Sequence, residues 1–285
     1  MTIRLFATAL MVILFGCNDK PKGPPAPSLD TPQPPTTQTY PSAPPPANPI
    51  SLKFDFSSPD KVYGFDYTQQ METKFGAPGG AGEPDSIKLD AAGTVIVRGT
   101  AQGKGALTLT IDRATVNGRT MPSPGGAANE MTINELAETG GWNGTPDERT
   151  ALLLMLFPLS AKPLRPGESA DHPMAFPIAH GGSNLVITGT ITNTLTGFVV
   201  IGGKVCARID SVMDVSKLDL PKGMEGKYSG SLVGKSVTYF DVDSHQFVSG
   251  TSSVAMNTMM DGTSASLTTT IQWAYSAAKT KAAAQ

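Results

Sequence analysis

A period of two runs through most of this chain, and no other feature narrows its fold so far. In residues 62–75, Tyr63, Phe65, Tyr67, Met71 and Phe75 fall on one side, with Asp66, Gln70, Glu72 and Lys74 on the other. Alternation of this kind, rich in aromatics, marks a strand with one buried face. It returns at 94–98, 106–116, 184–195, 205–215, 227–241 and 246–260, and most cleanly at 266–275, where Leu267, Ile271, Trp273 and Tyr275 oppose Thr268, Thr270 and Gln272. Several of these runs exceed the usual strand length of about five or six residues. Long sequential strands joined by short turns predict a mostly β fold, a long twisted antiparallel sheet or an open half-barrel. Its apolar side packs a core, and its threonine-rich side meets water.

One helix is specified as well. Thr145, Pro146 and Glu148 supply an N-cap, a first-position proline and a capping-box partner. Leu152, Leu153, Met155, Leu156 and Phe157 follow, and Pro158 ends the run. A helix this apolar has to be covered on most sides, so it is expected to pack on the concave face of the sheet. Residues 129–138 fit a short helix or a strand equally.

The first 16 residues have the three parts of an export signal: Arg4, an apolar run over 5–15, and a small residue, Gly16, before Cys17. A spanning helix needs about 20 apolar residues, and this run is shorter. Leu14-Phe15-Gly16-Cys17 resembles the lipobox of bacterial lipoproteins. The resemblance implies cleavage before Cys17 and acylation of its sulfur, with palmitate-type chains holding the protein to a membrane. Asn18, rather than aspartate, at the second mature position favours the outer membrane over the inner one. With Cys17 committed, Cys206 is left as a lone thiol, expected to be buried in its strand.

Residues 20–49 hold 12 of the 24 prolines and few large apolar side chains. Such a stretch cannot offset the entropy of ordering by burial and reads as an extended spacer. The expected organisation is a signal over 1–16, a lipidated Cys17 and disordered spacer over 17–49, a β-rich domain over 50–275 and a frayed tail over 276–285.

Three stretches carry a further resemblance. The run from Phe157-Pro158-Leu159 through Lys162-Pro163 to Gly167-Glu168-Ser169, the strand Gly203-Lys204-Val205-Cys206-Ala207-Arg208-Ile209, and the hairpin Tyr239-Phe240-Asp241 with Val248-Ser249-Gly250 occur in that order. Together they resemble an uncharacterised domain family associated with bacterial lipoproteins. That family has no established activity, so the resemblance implies an envelope setting and no catalytic residue.

The chemistry-bearing residues form no catalytic signature. Ser276 and Lys279 have a Ser-x-x-Lys spacing but lie in the tail, and no Gly-x-Ser-x-Gly elbow occurs. His172, His180 and His245 are too far apart for a helix-borne zinc motif. Asp241, Asp243 and His245 alternate as a weak candidate cation clamp, but the segment lacks the glycine and the twelfth-position glutamate of a calcium loop. A polar hairpin turn is the better reading. With 22 basic against 24 acidic residues there is no basic stripe for nucleic acid. No cofactor is implied.

The chain therefore reads as an envelope lipoprotein without enzymatic activity. It is expected to be a structural or protein-interaction module, partnered by the membrane through Cys17 and by an envelope protein. The alternative is a carrier for a lipid or other hydrophobic ligand, held on a concave face lined by Tyr63, Phe65, Leu152, Leu156 and Trp273.

Overall fold

The computed structural model describes residues 39–57, 60–76, 85–101, 103–121, 129–143, 156, 158–180, 183–219, 228–260 and 263–276. The strands are β1 (Ser42–Ala43), β2 (Lys61–Gly76), β3 (Asp85–Ala101), β4 (Lys104–Val116), β5 (Arg119–Thr120), β6 (Asn129–Asn134), β7 (Thr139–Trp142), β8 (Ser169–His180), β9 (Ser183–Ile201), β10 (Lys204–Asp219), β11 (Tyr228–Asp241), β12 (Gln246–Met260) and β13 (Thr263–Ser276). They make one antiparallel sheet, in which β8 lies beside β9 and the order continues β9-β10-β11-β12-β13-β2-β3-β4-β6-β7. The sheet is a meander except at one place: the last strand, β13, pairs with the first long one, β2, over Ser276↔Gly64 to Ser264↔Gly76.

The alternation read from sequence holds in β2 and β13, whereas Thr251 to Met256 of β12 are buried on both faces and Cys206, Val237 and Tyr239 form a second buried cluster on the face expected to meet water. Phe65, Tyr67, Met71, Leu267, Ile271 and Trp273 are buried on one face of β2 and β13, while Asp66, Glu72, Thr268 and Gln272 are exposed on the other. The main apolar cluster runs over the face that carries Phe65, Ile271 and Trp273. The sheet is not closed: β7 and β8, at its two ends, do not pair.

Two irregular segments fill that opening. Residues 158–164 bridge the ends of the sheet: Leu159 N–H donates to Leu136 O beyond β6 at 2.7 Å, and Asn193 Nδ2 on β9 donates to Pro158 O at 2.5 Å. Residues 50–57 run across the same end. Ile50 and Leu164 exchange two backbone hydrogen bonds of 2.9 Å, and Phe54 N–H donates to Glu135 O. The Phe54 ring meets Phe56, Phe240 and Phe247 with centroids 5.8–5.9 Å apart. The phenylalanines of this arm serve as a plug.

Two expectations change, and one open alternative is decided. The apolar helix packed on the sheet is not found: the described residues contain no helix, most of 145–157 lies outside them, and Leu156 is irregular although buried. Leu156 joins the apolar cluster from irregular backbone, and Leu159 and Leu164 after it are held by backbone hydrogen bonds to Leu136 and Ile50. Residues 129–134 are strand, not helix. The end of the stretch assigned to the spacer joins the sheet: Ser42 and Ala43 pair with Val199 and Phe198, and the Tyr40 ring stands edge-on to Tyr239 at 5.1 Å. The tail after Ser276 lies outside the described residues.

Candidate functional site: the concave face

The proposed ligand-facing residues divide. Phe65, Leu156 and Trp273 are 3%, 2% and 2% exposed and belong to the main apolar cluster, so they are core. Tyr63 is half-buried and stacks on Tyr275 with centroids 5.9 Å apart; burial pushes its phenol pKa up, against a hydrogen bond with Gln246. Leu152 and Cys17 lie outside the described residues.

Asp241, Asp243 and His245 lie at the hairpin between β11 and β12, and the carboxylate of Asp241 is already occupied. Its Oδ1 accepts from the backbone N–H groups of Asp243 (3.0 Å) and Ser244 (3.2 Å). Its Oδ2 accepts from Ser244 Oγ (2.5 Å) and Lys204 Nζ (2.7 Å). Burial alone would raise its pKa, but these hydrogen bonds, that of Lys204 first, leave it below the usual carboxylate range. His245 takes a left-handed φ of 54°, which closes the turn. The geometry is that of a carboxylate-capped turn. Among the described residues no three His, Cys, Asp or Glu side chains converge as a cation site. Cys206 is fully buried, and burial raises its thiol pKa to about 11.

A feature that sequence reading missed lies between these places. Ten buried side-chain polar atoms have no hydrogen-bond partner among the described residues, and five of them stand together: Asn193 Oδ1, Ser211 Oγ, Ser236 Oγ, Thr238 Oγ1 and Ser252 Oγ. Strand register aligns four of the residues. Asn193 pairs with Ser211, Ser211 with Ser236, and Ser236 with Ser252. Adjacent strands are about 4.8 Å apart, so the row crosses four strands and about 14 Å of the concave face. Thr238 stands beside it, opposite Ile209 and Gly250. Where the row continues to β2 the polar group is satisfied: Tyr67 OH donates to Gln69 Oε1, and Gln69 Nε2 donates to Thr269 Oγ1, both at 2.9 Å.

Apolar rows flank the hydroxyls. Toward the plug lie Leu195, Ile209 and Trp273; on the other side lie Ile191, Met213 and Val254. Two glycines let those side chains lie flat. A Cβ on Gly250 would stand 2.9 Å from Trp273 Nε1, and one on Gly234 would stand 2.9 Å from Met213 Cε. A cavity of about 10 Å³ next to Asn193 and Thr238, bounded by Leu52, Leu159 and Phe247, has room for about one water molecule.

No family model matches the chain, and no curated protein matches it. Among solved structures it is similar to lipovitellin, in a structure described as showing lipid–protein interactions. The identity is 12% and the TM-score 0.42, over 81% of this chain and 26% of that one. It is also similar to DynF from the dynemicin biosynthesis pathway of Micromonospora chersina, at 10% identity and a TM-score of 0.23, over 86% of this chain and 92% of that one. This chain thus spans about a quarter of the lipovitellin chain. Both likenesses are too slight to carry an argument about function.

Proposed function

We propose that the chain is a lipid-anchored protein of the bacterial cell envelope, held through Cys17 and more suited to the outer than the inner membrane. Its folded part acts without catalysis, as a structural or protein-interaction module. The observation that carries the second statement is the plug: residues 50–57 and 158–164 cover the aromatic end of the sheet's core face with the chain's own side chains. Phe65, Leu156 and Trp273 then contribute packing rather than a binding wall. The export signal, the Gly16-Cys17 junction and the proline-rich stretch support the anchor. Two or three acyl chains suffice for stable attachment, whereas one binds only marginally.

Radiolabelled palmitate in cells making the full chain tests the anchor. The wild type should take up label and sediment with membranes, and Cys17→Ala should do neither. Label retained by the variant would remove Cys17 from the reading.

A second reading, a carrier for a hydrophobic ligand, is favoured by one observation, the row of unpartnered hydroxyls on the concave face.

A further inference from the structure

We infer that the row Asn193–Ser211–Ser236–Ser252, with Thr238 beside it, is a site for the uncharged polar group of an amphiphile, such as the glycerol or ester of a neutral acyl lipid. The inference rests on the carrier reading and adds the chemistry of the ligand. Buried polar atoms are nearly always hydrogen-bonded, and leaving one unmade forfeits its hydration without return. These five are 1–4% exposed and contiguous, and all stand on the concave face. The Gln69–Tyr67–Thr269 network shows that the same face satisfies its polar groups where protein partners reach them.

The composition of the row sets the ligand class. Hydroxyls donate and accept, and Asn193 Oδ1 accepts. Of the described strand positions on the same face as the row in β9–β13 and β2, those around it, such as Ile191, Met213, Leu232, Val254, Leu267 and Met71, carry no charge; Lys61, at the plug end of β2, is engaged by Asp55 O and Ser244 O. A carboxylate or phosphate would enter without a counter-charge, at a high desolvation cost. An ester or alcohol needs none.

The flanking rows set the rest. On the plug side the wall is packed by Phe240, Phe247 and Trp273. Away from the plug it is built from Met213, Met256 and Met71 with Val215 and Leu232. Methionine is unbranched and repacks readily around different shapes, so that half takes the acyl chain.

The test uses the whole mature chain, residues 17–285, carrying Cys17→Ser so that no acyl group is attached. Native mass spectrometry and thermal unfolding are run with 1-monooleoylglycerol, oleate and hexadecane, on this protein and on S236A/S252A. Expected are a one-to-one monooleoylglycerol adduct and a rise in Tm of about 5 °C at saturating ligand. Affinity should fall at least about tenfold, the worth of one lost hydrogen bond, in the double variant and for both oleate and hexadecane. Absence of any adduct would overturn the inference and the carrier reading together. Hexadecane or oleate binding as tightly as monooleoylglycerol, or an unweakened adduct on the double variant, would overturn the hydroxyl site and leave the carrier reading standing. The three-ligand comparison on the parent protein decides the matter even where the double variant fails to fold.

Discussion

At the scale of single residues, Asp241 is the side chain whose loss is most predictable. It accepts four hydrogen bonds and is fully buried, whereas its partner Lys204 is 55% exposed. Removing the carboxylate strands two backbone donors and a lysine, so Asp241→Ala should cost about 2–3 kcal/mol in urea denaturation. The acid limb gives an independent check. Because the folded pKa of Asp241 lies below its unfolded value, its stabilisation is complete above the unfolded pKa of about 4 and is lost as pH falls through the lower folded one. Asp241→Asn should therefore show a shallower decline of stability below about pH 4 than the wild type. An unchanged acid limb would mean that the turn does not depend on the charge.

At the scale of elements, the plug and the free edge of β8 make separate predictions. Phe54 is 6% exposed and touches three other phenylalanines. Phe54→Ala should cost about 3–5 kcal/mol, as large-to-small changes in a core do, and should raise hydrogen exchange in residues 50–57 before it does so in β12. The edge of β8 is protected by a different device. Gly167, at φ 90°, donates to Leu195 O, and Leu195 N–H donates to Glu168 O. This one-residue bulge sets the phase of the ladder that follows. Ala170 and His172 then bond to β9, while the N–H positions of 169, 171, 173, 175 and 177 face away from it. Two of those positions are Pro173 and Pro177, so the free edge lacks donors where another strand would seek them. Replacing both prolines by valine should convert the protein to larger species in light scattering; a monodisperse variant would show that the edge is protected by something else.

The same prolines explain why β8 was not legible in the sequence while β2, β4, β12 and β13 were. Proline in an alternating run argues against a central strand, and β8 is an edge. The arm at 50–57 was illegible for another reason: its partners Glu135, Leu164, Phe240 and Phe247 lie about 80 to 190 residues away, and nothing local announces them. The hydroxyl row needed register. Ser211, Ser236 and Ser252 each look unremarkable in their own strand, and only the pairing of three neighbouring strands makes them a line. Tyr63, Phe65 and Trp273 were read correctly as inward-facing, but whether an inward face is core or site depends on what covers it, and the covering arm was the unread part.

At the scale of the whole molecule, the order of strands makes β13 the join between two meanders. β2–β7 form one run of neighbours and β8–β12 the other, and the last strand alone stands between them, pairing with β12 on one side and β2 on the other. Its core residues Ile271 and Trp273 pair across to Gln69 and Tyr67, about 200 residues earlier. Contacts that distant are slow to form, because the loop entropy is spent before the contacts reward it. During synthesis the strand that joins the halves is the last to emerge, so until then the edges of β2 and β12 stay open. A chain ending at residue 262 should therefore lack a cooperative unfolding transition and should aggregate, and supplying residues 263–276 as a separate peptide should restore protease resistance to both β2 and β12. Two halves that remained protease-resistant without β13 would show instead that the meanders are separate folding units and that the strand merely docks them.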